Sequence, residues 1–255
     1  MPATLSIVIP VLNEEDEVAR MLVAAKALLD GRAGGGEIIV VDNASTDRTC
    51  ERVQPFLDDP RVRLLRNDVN QGKGYSIRRG MLEASGELRL MCDADCIASL
   101  SSLPRLEEAV EVVDIACGSR LMSGAHVSRQ QPIRRRIVGA GFLAYTKLAM
   151  GHLPHDVYCG FKLFRAAVAH EVFSRAVLNG WAFDAEVLAM ARRLGYTMSE
   201  VGIEWSNRPD SRLSIRSVLL PVTGELITAR RNIRRAVADR ARQQDLDLVS
   251  QAETV

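Results

Sequence analysis

Leu88-Arg89-Leu90-Met91-Cys92-Asp93-Ala94-Asp95 places a mainly apolar run directly before a pair of carboxylates. Such a run reads as a strand buried in a sheet, with its carboxyl end opening into a polar loop. Working outward, Leu5 to Ile9 form a similar β-branched run stopped by Pro10, Glu37 to Val41 form another stopped by Asp42 and Asn43, and Val62 to Leu65 form a further one. Asn13 is placed to cap a helix with an acidic first turn (Glu14, Glu15, Asp16) and an apolar face of Val18, Met21, Leu22, Ala25 and Leu29. A second helix is expected from about Lys73 to Ala84. Alternating strand, polar loop and helix predict an α/β fold with a mostly parallel sheet. Ligands of such sheets bind beyond the carboxyl ends of the strands, where Asn13, Asp42 to Asp47 and Asp93 to Asp95 fall together.

Past Ser99 the pattern becomes mixed. Helices are expected near Leu103 to Val112, up to about Met150, near Ala166 to Val177 and from Asp184 to Leu194. Strands are expected near Ile115 to Gly118, Phe161 to Phe164 and Met198 to Glu204. A basic amphipathic helix follows. We divide the chain into 1–98, a nucleotide-binding half; 99–215, an acceptor half; 216–240, the basic helix; and 241–255, a disordered tail.

Composition narrows the classes. The 255 residues carry 33 basic and 32 acidic side chains, with 47% hydrophobic and 25% charged residues, which excludes a disordered, collagen-like or disulfide-scaffold chain. Five scattered cysteines and the lack of a leader pattern give the expectation of free thiols in a reducing, cytoplasmic compartment. Charge is uneven: residues 1–60 hold 11 acids and 5 bases, whereas 206–242 hold 9 bases and 3 acids. In the latter stretch Val218, Leu219, Leu220, Val222, Leu226 and Ile227 alternate with Arg230, Arg231, Arg234 and Arg235. This suits either a peripheral contact with an anionic membrane or a helix packed on the domain. Aromatic content of 5% and the absence of a binding motif argue against a nucleic-acid partner.

Asp93 and Asp95, two residues apart beyond a buried strand, can share a hard divalent cation, Mg²⁺ or Mn²⁺; an acidic turn is the plainer alternative. Asp42, with Asn43, Ser45 and Asp47, offers a carboxylate to a ribose hydroxyl or a base N–H, while Asp47 alone reads equally as a helix cap. Asn70-Gln71-Gly72-Lys73-Gly74 precedes a helix and lets backbone N–H groups approach an anion, although it completes neither a Walker loop nor a dinucleotide fingerprint. His152, His155 and Cys159 lack a fourth ligand at zinc-site spacing.

Taken in order, Ser6 to Pro10, Asn13-Glu14-Glu15, Ile38 to Asp42 with Ser45, Asp47 and Thr49, Asn70 to Gly74, and Asp93-Ala94-Asp95 resemble glycosyltransferase family 2. Gly118-Ser119-Arg120, Cys159 to Phe164 and Trp181 to Glu186 are similar to its polyprenyl-phosphate branch, nearer the dolichyl-phosphate glucosyltransferases than the mannose synthases. The resemblance implies a GT-A fold, a nucleotide-diphosphate sugar donor, a cation on Asp93 and Asp95, and inversion at the anomeric carbon. It places Pro10, Asn13, Glu14, Asp42, Lys73 and Ala94 around the donor, with Arg120, Arg134 and Arg135 on its phosphates. Asp184 is the general-base candidate, and Lys162, Asp156 and Trp181 are acceptor candidates. The mannose synthases carry glutamine where this chain has Ile97, so a uridine donor bearing glucose or N-acetylglucosamine is expected ahead of a guanosine donor bearing mannose. The acceptor is expected to be a polyprenyl phosphate, or else a soluble or carrier-bound group deprotonated by Asp184. Oligomeric state is not legible.

Overall fold

The computed structural model describes residues 4–128, 133–206 and 215–252; the side chains of 133–138, 215–221 and 244–252 lie outside the description. In chain order the elements are β1 (Leu5–Val11), α1 (Val18–Asp30), β2 (Gly36–Asp42), α2 (Thr49–Val53), β3 (Val62–Arg66), α3 (Lys73–Glu83), β4 (Leu88–Cys92), α4 (Leu103–Val110), β5 (Ile115–Ser119) and β6 (His126–Val127). Then come α5 (Ile133–Met150), β7 (Phe161–Arg165), α6 (Ala166–Arg175), α7 (Phe183–Arg193), β8 (Met198–Gly202), β9 (Glu204–Trp205) and α8 (Ile215–Ala252).

The main sheet runs β3-β2-β1-β4-β7-β5-β8. β1 to β4 are mutually parallel, and the inner strands β1, β2 and β4 are mainly apolar runs because helices cover both faces, whereas the edge strand β3 carries Arg63 and Arg66. Successive side chains serve opposite layers. Ile7 and Ile9 pack with Met21 and Leu22 of α1 and Leu106 of α4, while Val8 packs with Ile77 and Met81 of α3 and Phe173 of α6.

β7 is antiparallel to both neighbours, with Phe161 opposite Cys92 and Lys162 opposite both Met91 and Cys117. This reversal brings Gly160, at the start of β7, to the edge where β4 and β5 end, so the loops after β1, β2, β4 and β5 and the turn before β7 share one rim. The expected strand Met198 to Glu204 is divided, because β9 leaves the main sheet to pair with β6.

Two helix starts differ from expectation. α1 begins at Val18 with Glu17 as its cap, because Asn13 stands in the left-handed region at φ 55° and Glu14 O instead gathers the N–H groups of Glu17 and Val18. α7 is capped by Ala182, which leaves Asp184 inside the first turn. The final helix continues to Ala252, past residue 240, where the sequence pattern placed its end. Its residues Val222, Leu226, Ala229, Ile233 and Ala236 are buried in the same core as α7. Among the described residues its apolar face is therefore occupied by the domain, and Arg230, Arg231, Arg234 and Arg235 face solvent.

Candidate active site

The rim begins with a frame of hydrogen bonds. Asn13 donates its backbone N–H to Ser45 Oγ (2.9 Å), and its Oδ1 accepts from Thr46 N (2.8 Å). Glu14 N donates to Thr49 Oγ1 (2.8 Å), and Glu15 N donates to Asp47 Oδ2 (3.2 Å). Asp47 Oδ1 accepts from Thr49 N (2.9 Å), so this carboxylate does work close to that of a cap for α2, and these bonds hold its carboxyl low against the effect of burial. Asp42 is fully buried at the end of β2, accepts from Ser45 N at 3.2 Å and has Arg66 Nε 3.7 Å away. Asn43 joins Asn67, Asn70 and Gln71 N. Beside this frame opens a cleft of about 500 Å³ lined by Ala44, Ser45, Thr46, Arg66, Asn67 and Asp68. Pro10 lies in β1, opposite Val41 of β2.

The centre of the rim is ionic. Asp93 N donates to Gly160 O (2.9 Å), and the Asp93 carboxylate lies so close over Gly160 that an added Cβ would meet Oδ2 at 1.9 Å. Oδ2 accepts from Lys73 Nζ at 2.6 Å, whereas Oδ1 is buried without a partner. Burial opposes the Lys73 charge, but Asp93 and Asp184 outweigh it and hold the ammonium well above the ordinary lysine range. Among the described residues, Asp93, Asp95 and Cys96 form a group whose donor atoms lie within 4.8 Å of one another. An orphaned carboxylate oxygen beside a second carboxylate suits a hard cation such as Mg²⁺ or Mn²⁺. Burial raises the thiol of Cys96 and pushes that of Cys159 up to about 12, so both are protonated near neutral pH.

Behind Asp93 lies a second pair. Lys162, 1% exposed, donates from Nζ to Asp184 Oδ1 at 2.6 Å and to Cys159 O at 2.5 Å. Burial works against the lysine charge, and the Asp184 carboxylate reverses that effect and raises it. Burial also raises the Asp184 carboxyl, against the pull of Lys162 and Lys73. Arg120, beyond β5, is gripped by Asp156 through Nε (2.8 Å), Nη2 (2.7 Å) and its own backbone N–H (2.9 Å), and lies 4.9 Å over Trp205. Burial raises the Asp156 carboxyl, but the bonds and charge of Arg120 prevail and lower it. Glu200 of β8 in turn accepts the N–H groups of His155 and Asp156.

The structure thus brings together Asp93, Ala94, Asp95, Lys73, Lys162, Asp184 and, through Lys73, Trp181, whose ring lies 5.6 Å from that ammonium. Asp42, Asn13 and Glu14 form the neighbouring frame. Arg120 and Asp156 are paired with each other. Arg134 and Arg135 lie in α5, and their side chains fall outside the described residues.

The glycine–lysine loop differs from the anion cradle expected of it. Gly74 N donates to Asn179 O (2.7 Å), and Gly72, at φ 95°, lies so near Asn179 O that a Cβ would sit 2.3 Å from it. These contacts bind α3 to the loop before α7. Phe183 is buried in the core, while Trp181 is 42% exposed. Sequence reading quoted Glu186 within the Trp181 to Glu186 stretch without giving it a role, and passed over Glu200, Glu225 and Asn232. Glu186 was within reach, being an acid in the middle of an otherwise apolar helix face, whereas the others carry meaning only through distant backbone.

The sequence model described as glycosyl transferase family 2 matches residues 6–173. A dolichyl-phosphate beta-glucosyltransferase of Trichomonas vaginalis is 33% identical over 83% of this chain and 66% of its own length. The human dolichyl-phosphate beta-glucosyltransferase is 31% identical over 82% of this chain and 69% of its own. The chain thus spans about two thirds of the length of these relatives. Among solved structures, glucosyl-3-phosphoglycerate synthase from Mycobacterium tuberculosis, in complex with Mn²⁺, UDP-glucose and phosphoglyceric acid, superposes with a TM-score of 0.63. It is 17% identical, over 92% of this chain and 80% of that one, and shares the fold.

Proposed function

The chain belongs to glycosyl transferase family 2, and from that premise we propose that it moves a glucose-type hexose, with inversion at the anomeric carbon, from a uridine-diphosphate sugar to a polyprenyl phosphate. The observation that carries this reading is the unpartnered buried Oδ1 of Asp93 beside Asp95, at the same sheet rim as the cleft of about 500 Å³ beyond β2 and β3. The names of the relatives point to glucosyl transfer onto dolichyl phosphate. The shared fold of a protein described with Mn²⁺ and UDP-glucose agrees.

In this reading Asp42 accepts from the base or ribose in the cleft framed by Pro10, Asn13 and Glu14. Asp93 and Asp95 would hold Mg²⁺ or Mn²⁺, which when bound supplies positive charge where the diphosphate departs. Lys73 adds a second, permanent positive charge at the same carboxylate. Arg120 stays oriented by Asp156 and Trp205 toward the donor side, and Arg134 and Arg135 remain candidates for the phosphates.

The acceptor approaches past Trp181. Asp184 is held by Lys162 and serves to orient it; a phosphate monoester is already an anion near neutral pH and needs no base to remove a proton. The alternative, transfer to a hydroxyl of a soluble or carrier-bound acceptor, has in its favour that burial raises the Asp184 carboxyl toward the range of a general base.

The test incubates the protein with UDP-, GDP- and dTDP-sugars and Mn²⁺, with and without a short polyprenyl phosphate, and follows products by mass spectrometry. A polyprenyl-phospho-glucose formed from UDP-glucose is the expected result. Slow hydrolysis of the donor, unchanged by the lipid, would overturn the lipid acceptor in favour of a soluble one.

A further inference from the structure

The segment 176–182, between α6 and α7, carries the exposed Trp181 and has its backbone held from three helices at once. From α7, Glu186, fully buried, accepts Val177 N (3.1 Å) and Leu178 N (2.8 Å). From α3, Arg78 Nη1 donates to Ala176 O (3.3 Å) and Leu178 O (3.4 Å), its Nη2 donates to Asn179 Oδ1 (2.9 Å), and Gly74 N donates to Asn179 O. From α8, more than forty residues along the chain, Glu225 Oε2 accepts Ala182 N (3.0 Å), and Asn232 Nδ2 donates to Glu186 Oε1 (2.8 Å) and Arg175 O (2.7 Å). The fit at α8 is close: a Cβ on Gly180 would lie 1.9 Å from Glu225 Oε1. The far side of the segment presents Trp181 to Lys73, which is bound to Asp93.

We propose that α8 is a working part of the acceptor site, with Glu225 as the positioning residue that sets the Trp181 wall against Lys73, and Asn232 as its second anchor through Glu186. This deepens the polyprenyl-phosphate reading and rests on it. A carboxylate accepting one N–H and packed on a glycine fixes both the height and the tilt of a short loop, and displacement of a substrate wall by about an ångström is enough to weaken binding substantially. Glu225 touches no reacting atom, so its effect is expected on acceptor KM ahead of kcat.

The test compares wild type with Glu225→Ala, Glu225→Gln, Gly180→Ala and the Gly180→Ala/Glu225→Ala double variant. It uses amide hydrogen exchange across 176–182 together with steady-state kinetics on UDP-glucose and a short polyprenyl phosphate. Glu225→Ala is expected to speed exchange at Ala182 and to raise the polyprenyl-phosphate KM about tenfold, with the UDP-glucose KM little changed. Glu225→Gln, whose amide oxygen can still accept Ala182 N, is expected to return most of that loss. Gly180→Ala is expected to resemble Glu225→Ala, and the double variant to be no worse than either single one, because removing the carboxylate makes room for the methyl group. Wild-type exchange in Glu225→Ala would overturn the proposal, as would faster exchange with both KM values unchanged. Failure of the transferase reading looks different: wild type itself then turns over no donor onto lipid, and the exchange data alone decide whether the clamp exists.

Discussion

The two halves of the rim are held by different forces. Around Asp42 the loops are joined chiefly by backbone N–H groups donating to oxygens of Asn13, Asp42, Ser45, Asn43 and Asp47, with the exposed Arg66 at 3.7 Å from Asp42 as a looser ion pair. Around β7 the joints are ion pairs: Lys162 with Asp184 is taken out of water, and Lys73 with Asp93 and Arg120 with Asp156 are partly buried. A hydrogen-bonded frame loses little when one member is deleted, about 1 kcal/mol for a typical bond. A buried ion pair that loses one partner leaves an uncompensated charge. One edge of the sheet is therefore tolerant, built to keep a shape, and the other is intolerant, built to keep a field.

The largest expected effect follows from that contrast. Lys162→Ala strands the Asp184 carboxylate at 5% exposure, and urea unfolding is expected to show a loss of about 3–5 kcal/mol. Ser45→Ala, which removes one acceptor from the frame, is expected to cost about 1 kcal/mol. Equal losses in the two variants would erase the distinction. Replacing both partners, Lys162→Met with Asp184→Leu, should recover most of the stability without activity.

The same pair sharpens the comparison through pH. The Lys162 value is raised in the folded chain, so the stability it contributes is complete below the ordinary lysine range and is lost as pH climbs through the raised value. Asp156 and Asp47 are lowered, so what they contribute is complete above the ordinary aspartate range and is lost as pH falls through their depressed values. Thermal unfolding against pH should thus show an alkaline limb that is shallower in the Lys162→Met/Asp184→Leu variant, where Lys73 and the buried thiols still supply part of it. The acid limb, drawn from both halves of the rim, should persist in that variant. An alkaline limb unchanged in the double variant would place it outside the β7 region.

Next in size is the rate. Asp95→Ala is expected to lower kcat by about a hundredfold with Mn²⁺ present, comparable with removing a major charge-stabilising group, while the fold stays intact by circular dichroism. Isothermal titration with Mn²⁺ and UDP separates this from loss of the nucleoside frame. Asp42→Asn should weaken UDP binding with or without the metal, whereas Asp95→Ala should abolish only the metal-dependent part.

The strands of the tolerant edge were largely readable in the chain; at the intolerant edge the residues were readable but their pairing was not. β1, β2 and β4 announce themselves as apolar runs ending in Pro10, Asp42 and Asp93, because a parallel strand covered on both faces has no other way to be written. Asp93 and Asp95 follow from the same grammar. Asn13 misled as a cap because nothing local reports that its backbone turns left-handed to reach Thr46. The pairing of Lys162 with Asp184 depends on β7 running antiparallel, a matter of topology that the short apolar segment from Phe161 to Phe164 does not encode. Glu225 and Asn232 drew no reading from the sequence, because their roles exist only where α8 folds back onto the loop before α7.

The smallest expected effect concerns the outer face of that same helix. Val222, Leu226, Ala229, Ile233 and Ala236 are spent on the core, so among the described residues insertion of this apolar face into lipid is closed to it. Arg230, Arg231, Arg234 and Arg235 remain outward, and attraction to an anionic surface contributes about 1 kcal/mol per arginine before screening by salt. Co-sedimentation with vesicles of phosphatidylglycerol and phosphatidylcholine should therefore show binding that each single Arg→Ala change weakens about fivefold and that physiological salt largely removes. Binding that survives high salt would mean an apolar contact from another surface. Exposed Leu148 on α5 and Ile227 on α8 would be the first side chains to exchange for serine, and loss of the salt-resistant binding in that double variant would place the apolar contact there, whereas its retention would place it on a further surface.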